Sequence, residues 1–439
     1  MDLRDIISAS GAEVVKTTDI LGNIELSTDT RTIKHGNLYL PLKGANFDGE
    51  QFLDLAIQNG AIGCFITGDN YPENAKIVLK VENTLETYLK LANFYRNKLA
   101  PKVVAITGSS GKTTTKEMVF SVLKEKFNTV KTLSNHNNEI GLCQTIFSCD
   151  SETQALIVEM GMRGLGEIEL LTKYAEPDFA IITNAGTAHL GRLGSLDNIA
   201  IAKCEITKYL NKSGALIAND SERLRKFNNF EGEKIFYSFA QTKVVERKQG
   251  FTKFIYKSNE YEIFTEGDFN VENSLSAIEI GFKFGMTYEE IKSGLRSYKP
   301  IEKRWEAETV RGLNLINDSY NANPDSMRAS VSTFLGLYSS PVVVMGDMGE
   351  LGENEAELHY QVGIDIAKIA PSGVKFLTVG NLSKNIAKAL ECFDVTCVSN
   401  NKEASEFLLN QVKAGANVFL KASRSMKFEE IINYLKEEM

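Results

Sequence analysis

Val103-Val104-Ala105-Ile106, followed at once by Thr107-Gly108-Ser109-Ser110-Gly111-Lys112-Thr113-Thr114, is the stretch that decides how this chain folds. Short apolar residues behind Pro101 read as a buried strand. Gly108 and Gly111 let the backbone curl so that its N–H groups face anionic oxygens. Beyond the turn, Met118, Val119, Val122, Leu123 and Phe127 share one face of a predicted amphipathic helix, whose positive end adds to the same anion site. Strand, glycine turn and helix open an α/β nucleotide-binding unit. In such a unit Lys112 is expected at the β- and γ-phosphates and the Thr113 hydroxyl at Mg²⁺. Gly108, Ser109, Ser110, Gly111 and Thr114 complete the loop. Its spacing is shorter than that of the general phosphate loop, whose distal glycine would fall at Ile106. The plain alternative, a Gly-Ser turn before a helix, fits the strand–turn–helix context less well.

Working outward, Ala155–Val158 and Phe179–Thr183 read as two more buried strands, and Glu159 stands at the end of the first. A carboxylate at a strand end beside a phosphate loop suits Mg²⁺, although a solvated strand end has the same pattern. Lys253 to Phe264 alternates around Ser258-Asn259 and predicts a hairpin. Leu85–Lys98 and Leu196–Leu210 read as helices. Further on, strand candidates Leu313–Ile316, Val342–Met345, Phe376–Val379 and Val418–Leu420 alternate with helical patterns such as Leu358–Ile369 and Phe428–Leu435. That alternation predicts a Rossmann-like unit, with Asp318, Asp347, Gly380 and Lys421 directly after its strands, where open α/β sheets bind ligands.

The chain has 439 residues, too many for one apolar core, and two or three domains are expected. The fold class is α/β with three domains: a mixed N-terminal domain (1–98), a central parallel-sheet domain like a P-loop ATPase (99–306) and a C-terminal Rossmann-like domain (307–439). A net charge of −8 argues against a general nucleic-acid surface while leaving room for local phosphate pockets. Residues 1–15 lack an apolar signal core, and no apolar run is long enough to span a bilayer, so a cytoplasmic chain is expected. Cys64, Cys143, Cys149, Cys204, Cys392 and Cys397 show no metal-ligand spacing and read as reduced core cysteines. Four histidines in the whole chain argue against a His-rich metal site.

The phosphate loop resembles the short loop of the Mur ligases, and other segments match in the same order. Asn184-Ala185-Gly186-Thr187-Ala188-His189 with Ala202-Lys203-Cys204-Glu205 resembles the family's central block. Asn317-Asp318-Ser319-Tyr320-Asn321-Ala322-Asn323-Pro324-Asp325-Ser326 resembles the opening of its C-terminal domain. Asp29-Thr30-Arg31, Lys43-Gly44-Ala45-Asn46-Phe47-Asp48-Gly49, Asn137-Asn138-Glu139-Ile140-Gly141 and Gly346-Asp347-Met348-Gly349-Glu350-Leu351-Gly352 are similar to segments of the member that handles a sugar nucleotide and a dipeptide. Three positions depart: Glu50 and Phe269 stand where relatives have His, and Ala422 where Gly is usual.

The resemblance implies an ATP-dependent, ADP-forming ligase of peptidoglycan precursor synthesis. Its partners would be UDP-N-acetylmuramoyl-tripeptide and D-alanyl-D-alanine, joined through an acyl phosphate by a monomer. It implies two Mg²⁺ ions held by Thr113, Glu159, His189 and a carbamylated Lys203. It puts Asn270, Asn273, Arg304 and Asp318 near ATP, where capping and linker roles are the bland alternatives. Thr30, Arg31, Lys43, Phe47 and Asp48 would hold the uridine diphosphate end, with core packing an equal alternative for Phe47. Asn137, Asn138 and Arg163 would serve the sugar and lactyl region, and Tyr320, Asn321, Asn323 and Ser326 the dipeptide, against a simple Asn-Pro turn. Rival readings are a ligase adding one amino acid, a folylpolyglutamate synthetase, a motor-type P-loop ATPase and a catalytically decayed nucleotide-sugar binding module. The short loop disfavours the motor ATPase, and the complete set Lys112, Thr113, Glu159, His189 and Lys203 disfavours the decayed module.

Overall fold

The run Val103–Ile106 becomes the strand Lys102–Thr107, set inside a six-stranded sheet. From edge to edge the order is Glu233–Tyr237, Ala215–Asn219, Phe179–Ile182, Lys102–Thr107, Ala155–Glu159 and Thr129–Lys131, with every pair parallel. Alternate residues feed opposite faces. Val103 and Ala105 join one apolar cluster with Leu156 and Val158, while Val104 and Ile106 join another with Ile157 and Ile181. Burial on both faces is why these strands read as unbroken apolar runs. The chain goes from Lys102–Thr107 to one flank and later crosses to the other at Phe179–Ile182. Such a reversal opens the crevice in which α/β sheets bind ligands.

This computed structural model describes residues 1–18, 22–44, 47–301 and 303–437. The helix after the phosphate loop spans Lys112–Leu123 and stops short of Phe127. Phe127 still packs on the same core, its ring 5.4 Å from that of Phe284, so the apolar spacing outlasts the helix. The helix expected over Leu196–Leu210 is α-helical only to Cys204 and then tightens into a 3₁₀ turn at Glu205–Thr207.

The N-terminal sheet runs Glu13–Lys16, Ile77–Lys80, Gly63–Ile66, Leu38–Tyr39 and Leu26–Ser27, with only the first strand antiparallel. The helix Thr84–Leu99, capped by Asn83, buries Leu89, Leu91 and Ala92. Those residues share a cluster with Phe65 of this sheet and Leu156 of the central one, so the two units have one continuous core.

The C-terminal sheet runs Glu306–Val310, Leu313–Asn317, Asn417–Lys421, Pro341–Gly346, Lys375–Val379 and Asp394–Val398, parallel except for its first strand. The two edge strands are missing from the sequence reading because edge positions are half solvated and carry polar residues. Thr242–Lys248 is missing for the same reason: it adds a third strand to the hairpin Phe251–Tyr256 and Asn259–Ile263. That hairpin turns at Lys257-Ser258, both at positive φ, one residue before the expected pair.

Cys64, Cys143, Cys149 and Cys204 are buried free thiols, whereas Cys392 and Cys397 are exposed, which corrects the core assignment for those two. No helix among the described residues is long and apolar enough to cross a membrane.

Candidate active site

Beyond the carboxyl ends of the central and C-terminal strands lies a cavity of about 870 Å³ that both sheets line. The phosphate loop forms part of its wall. Gly111 takes φ 79° as the N-cap of Lys112–Leu123, and the first helical turn carries no acidic residue, so its N–H groups remain available to an anion. A Cβ at Gly108 would lie 1.8 Å from Thr183 Oγ1, and one at Gly111 2.6 Å from Asn273 Oδ1, so both positions require glycine. The loop is pinned by Asn184, whose carbonyl accepts from Ser109 N (3.1 Å) and whose Oδ1 accepts from Ser110 N (3.0 Å). Asn184 belongs to the matched central block, but the sequence reading assigns it no role.

Lys112 folds back on the loop, its Nζ donating to Gly108 O at 2.7 Å, and burial lowers its pKa. Thr113 Oγ1 accepts from Arg304 at 2.9 Å, and that guanidinium lies over the Tyr320 ring, 3.9 Å from its centroid. Arg304, from the segment joining the two sheets, thus touches both the phosphate loop and the opposite wall. Glu159 is buried: its Oε1 accepts from Asn137 Nδ2 at 3.1 Å, and among the described residues its Oε2 has no hydrogen-bond partner, with Lys116 Nζ 3.6 Å away. His189 holds φ 64° and reaches across to Glu350, with Nδ1 2.6 Å from Oε2.

Lys203 does not line the cavity. It is fully buried, its Nζ has no partner among the described residues, and desolvation with the nearby Lys112 charge puts its pKa well below the ordinary lysine value. Among the described residues no three His, Cys, Asp or Glu side chains form a metal-binding group.

On the C-terminal wall, Asp318 accepts from Lys421 Nζ at 2.5 Å and Ser330 Oγ at 2.8 Å. Asn323 and Ser326 line the cavity while forming a reciprocal cap on the helix Pro324–Leu337. Asn321 Oδ1 accepts from Ala322 N. Asp325 crosses to the central unit and accepts from Thr187 N and Oγ1 at 2.9 and 2.8 Å. Asn270 has both amide protons engaged inside the protein, by Thr265 Oγ1 and Glu266 O, which favours a structural role for its amide. Asn138 caps the helix Glu139–Phe147, and the side chains of Asn137 and Arg163 border the cavity. Phe269, a departure from the family pattern, sits edge-on to Trp305, 5.8 Å between ring centroids.

Thr30, Arg31, Lys43, Phe47 and Asp48 do not reach this cavity. Arg31 is clamped on Asp29, whose carboxyl it lowers to about 2, and Lys43 pairs with Asp48 at 3.0 Å. Phe47 is 54% exposed and stacked on Phe52, which removes core packing as its explanation. Ala45 and Asn46 of the same run lie outside the described residues. Lys421 ends the strand Asn417–Lys421 and is legible from its place at the carboxyl end. Glu350 and Asp325 carry no such signal, since each acts across to the other unit.

Two family descriptions match this chain: the Mur ligase middle domain over residues 106–281, and the Mur ligase glutamate ligase domain over 303–424. The UDP-N-acetylmuramoyl-tripeptide–D-alanyl-D-alanine ligase of Bacillus subtilis is 38% identical, over 94% of this chain and 93% of its own length. The chain belongs to the Mur ligase family. The Escherichia coli ligase of the same name is 32% identical over 94% of this Mur ligase and 93% of its own length. A crystal structure of MurF from Acinetobacter baumannii superposes with a TM-score of 0.90 at 27% identity, covering 99% of this chain and 98% of that one. MurF from Thermotoga maritima in complex with ADP gives 0.84 at 25% identity over 94% and 97%. The mixed, parallel-sheet and Rossmann-like units are therefore the three-domain architecture of this family.

Proposed function

We propose that this chain is an ATP-dependent, ADP-forming ligase that joins D-alanyl-D-alanine to UDP-N-acetylmuramoyl-tripeptide, acting in the cytoplasm as a monomer. The observation that carries this reading is one cavity shared by a phosphate loop and the Tyr320, Asn321, Asn323 and Ser326 wall, in a chain whose full-length relatives bear that name. The proposed division is residues 1–98 for the uridine nucleotide, 99–306 for ATP and 307–439 for the dipeptide.

The N–H groups that open the helix Lys112–Leu123, together with the Lys112 side chain, receive the ATP phosphates, Lys112 exchanging Gly108 O for the β- and γ-oxygens. Asn273 and Arg304 flank the nucleotide, and Asp318 with Lys421 fixes the far wall. The tripeptide carboxylate oxygen bonds to the γ-phosphorus as the bridging bond to ADP breaks. The dipeptide amine then bonds to the acyl carbon, phosphate departs, and the nitrogen loses one proton. No protein nucleophile is needed; holding the groups in line supplies much of the acceleration.

Two orphaned buried atoms, Glu159 Oε2 on the cavity wall and Lys203 Nζ outside its lining, support the reading of bound Mg²⁺ and a lysine carbamate. Thr113, Glu159, His189 and carbamylated Lys203 would hold the ions, Arg304 yielding the Thr113 oxygen. Bound Mg²⁺ supplies positive charge that offsets repulsion between carboxylate and triphosphate. Burial pushes the Lys203 pKa well down, which favours the uncharged amine, the form that combines with carbon dioxide.

The test is mass spectrometry of the product from nucleotide-tripeptide, ATP and D-alanyl-D-alanine, beside single amino acids as acceptors. Product with the dipeptide alone is expected. Product with a single amino acid in its place overturns the substrate assignment.

A further inference from the structure

Glu350 lies outside every role assigned so far, yet it enters the cavity from the C-terminal unit and meets His189 of the central one. The contact is the meeting of two stiff arms. Glu350 follows the strand Pro341–Gly346 in a loop whose base is fixed at several points. Asp347 accepts from Ser383 N (2.8 Å) and Asn381 N (3.2 Å), Met348 N donates to the buried His359 Nε2 (2.9 Å), and Met348 and Leu351 are buried. On the other side His189 heads the short helix Leu190–Leu193. Both His189 and Glu350 hold positive φ, 64° and 61°, a conformation non-glycine residues keep only when their surroundings impose it.

The two arms touch through backbone. Gly191 N donates to Glu350 O at 3.2 Å, and a Cβ on Gly191 would stand 2.4 Å from Gly352 N. Glycine at both places lets the loop come close enough for the Glu350 carboxylate to meet the imidazole. Arg192 lies 3.8 Å from its other oxygen. The 2.6 Å contact with Nδ1 has ion-pair distance without hydrogen-bond alignment, and such contacts commonly straighten once ligands bind.

We infer that Glu350 is a positioning residue that holds the His189 ring by Nδ1 and leaves Nε2 to face the metal, so that metal binding depends on docking of the C-terminal loop. This rests on the reading of His189 as a metal ligand. An imidazole that ligates a metal through one nitrogen generally donates the other N–H to a carboxylate or carbonyl, which fixes its tautomer and orientation. Here that carboxylate comes from a different sheet.

The experiment measures Mn²⁺ affinity by electron paramagnetic resonance in the presence of a non-hydrolysable ATP analogue and nucleotide-tripeptide. It compares wild type, His189→Ala, Glu350→Ala, Glu350→Gln and Gly191→Ala. Losing such an outer carboxylate weakens metal binding by about 10–100-fold, which is the expectation for Glu350→Ala. Glu350→Gln, whose amide oxygen still accepts from Nδ1–H, should recover part of the affinity. Gly191→Ala touches neither side chain and should weaken Mn²⁺ binding by blocking the approach. If His189→Ala weakens binding but Glu350→Ala does not, the Glu350 proposal falls while the His189 reading stands. If neither changes binding, both fall.

Discussion

Replacing Lys203 with methionine separates a buried structural amine from a carbamylated metal ligand. Lys203 is fully buried on the helix Leu196–Cys204 and its Nζ has no partner. A buried polar group left unsatisfied costs about 1–3 kcal/mol. Methionine fills most of the same volume without the amine, so Lys203→Met should be more stable than wild type stripped of carbon dioxide by about that amount. For domains of roughly 150–250 residues, 1 kcal/mol moves the melting temperature by about 2–4 °C, so a rise of about 2–12 °C is expected. The pH dependence has a definite sign. Because the folded pKa is lowered, the unfolded chain binds the proton more readily between that pKa and the ordinary lysine value, and wild-type stability rises with pH across this window. Lys203→Met loses that contribution to the slope. Its ligation rate should fall by about 10²–10³-fold, the scale of losing one preorganised electrostatic group. The assay pairs calorimetry in metal-free, carbon-dioxide-free buffer with phosphate release before and after bicarbonate is added. Wild type should lose activity on stripping and regain it, with the variant indifferent. A folded Lys203→Met enzyme with near wild-type turnover, or one that melts several degrees lower, refutes the reasoning.

Lys112→Ala should fold normally and lose ligation by about 10²–10³-fold, because the γ-phosphate loses its bound cation; near-normal turnover would remove the ATP assignment. Lys421→Met leaves the half-buried Asp318 carboxylate with Ser330 but without its 2.5 Å cation and should destabilise the C-terminal unit by about 1–3 kcal/mol, read by denaturant unfolding followed at Trp305. The cavity is walled by residues of both the central and the C-terminal unit, so nucleotide-tripeptide and an ATP analogue together should draw these two units closer. Small-angle scattering should record a smaller radius of gyration under saturation, and an unchanged one counts against closure.

Much of the architecture is written in local pattern. Val103–Ile106 and its glycine loop announce a parallel strand and an anion-binding helix start because both sheet faces are covered and only glycine fits at Gly108 and Gly111. The central strands of the Rossmann-like unit are legible for the same reason. Edge strands such as Asp394–Val398 escape, since half-solvated positions carry no continuous apolar signal. Residue type and motif order also mark Lys112, Thr113, Glu159, His189 and Asp318 as site candidates. Tertiary structure alone decided which of them share a cavity, that Lys203 is sealed away with an unpaired amine, and that Asn323 and Ser326 cap a helix as well as line the wall. It alone revealed Asn184 pinning the loop, and Asp325 and Glu350 crossing between units to Thr187 and His189. Periodicity reports which face a residue turns toward its own core, whereas a contact between two sheets depends on how both cores are set against each other, which no local spacing encodes.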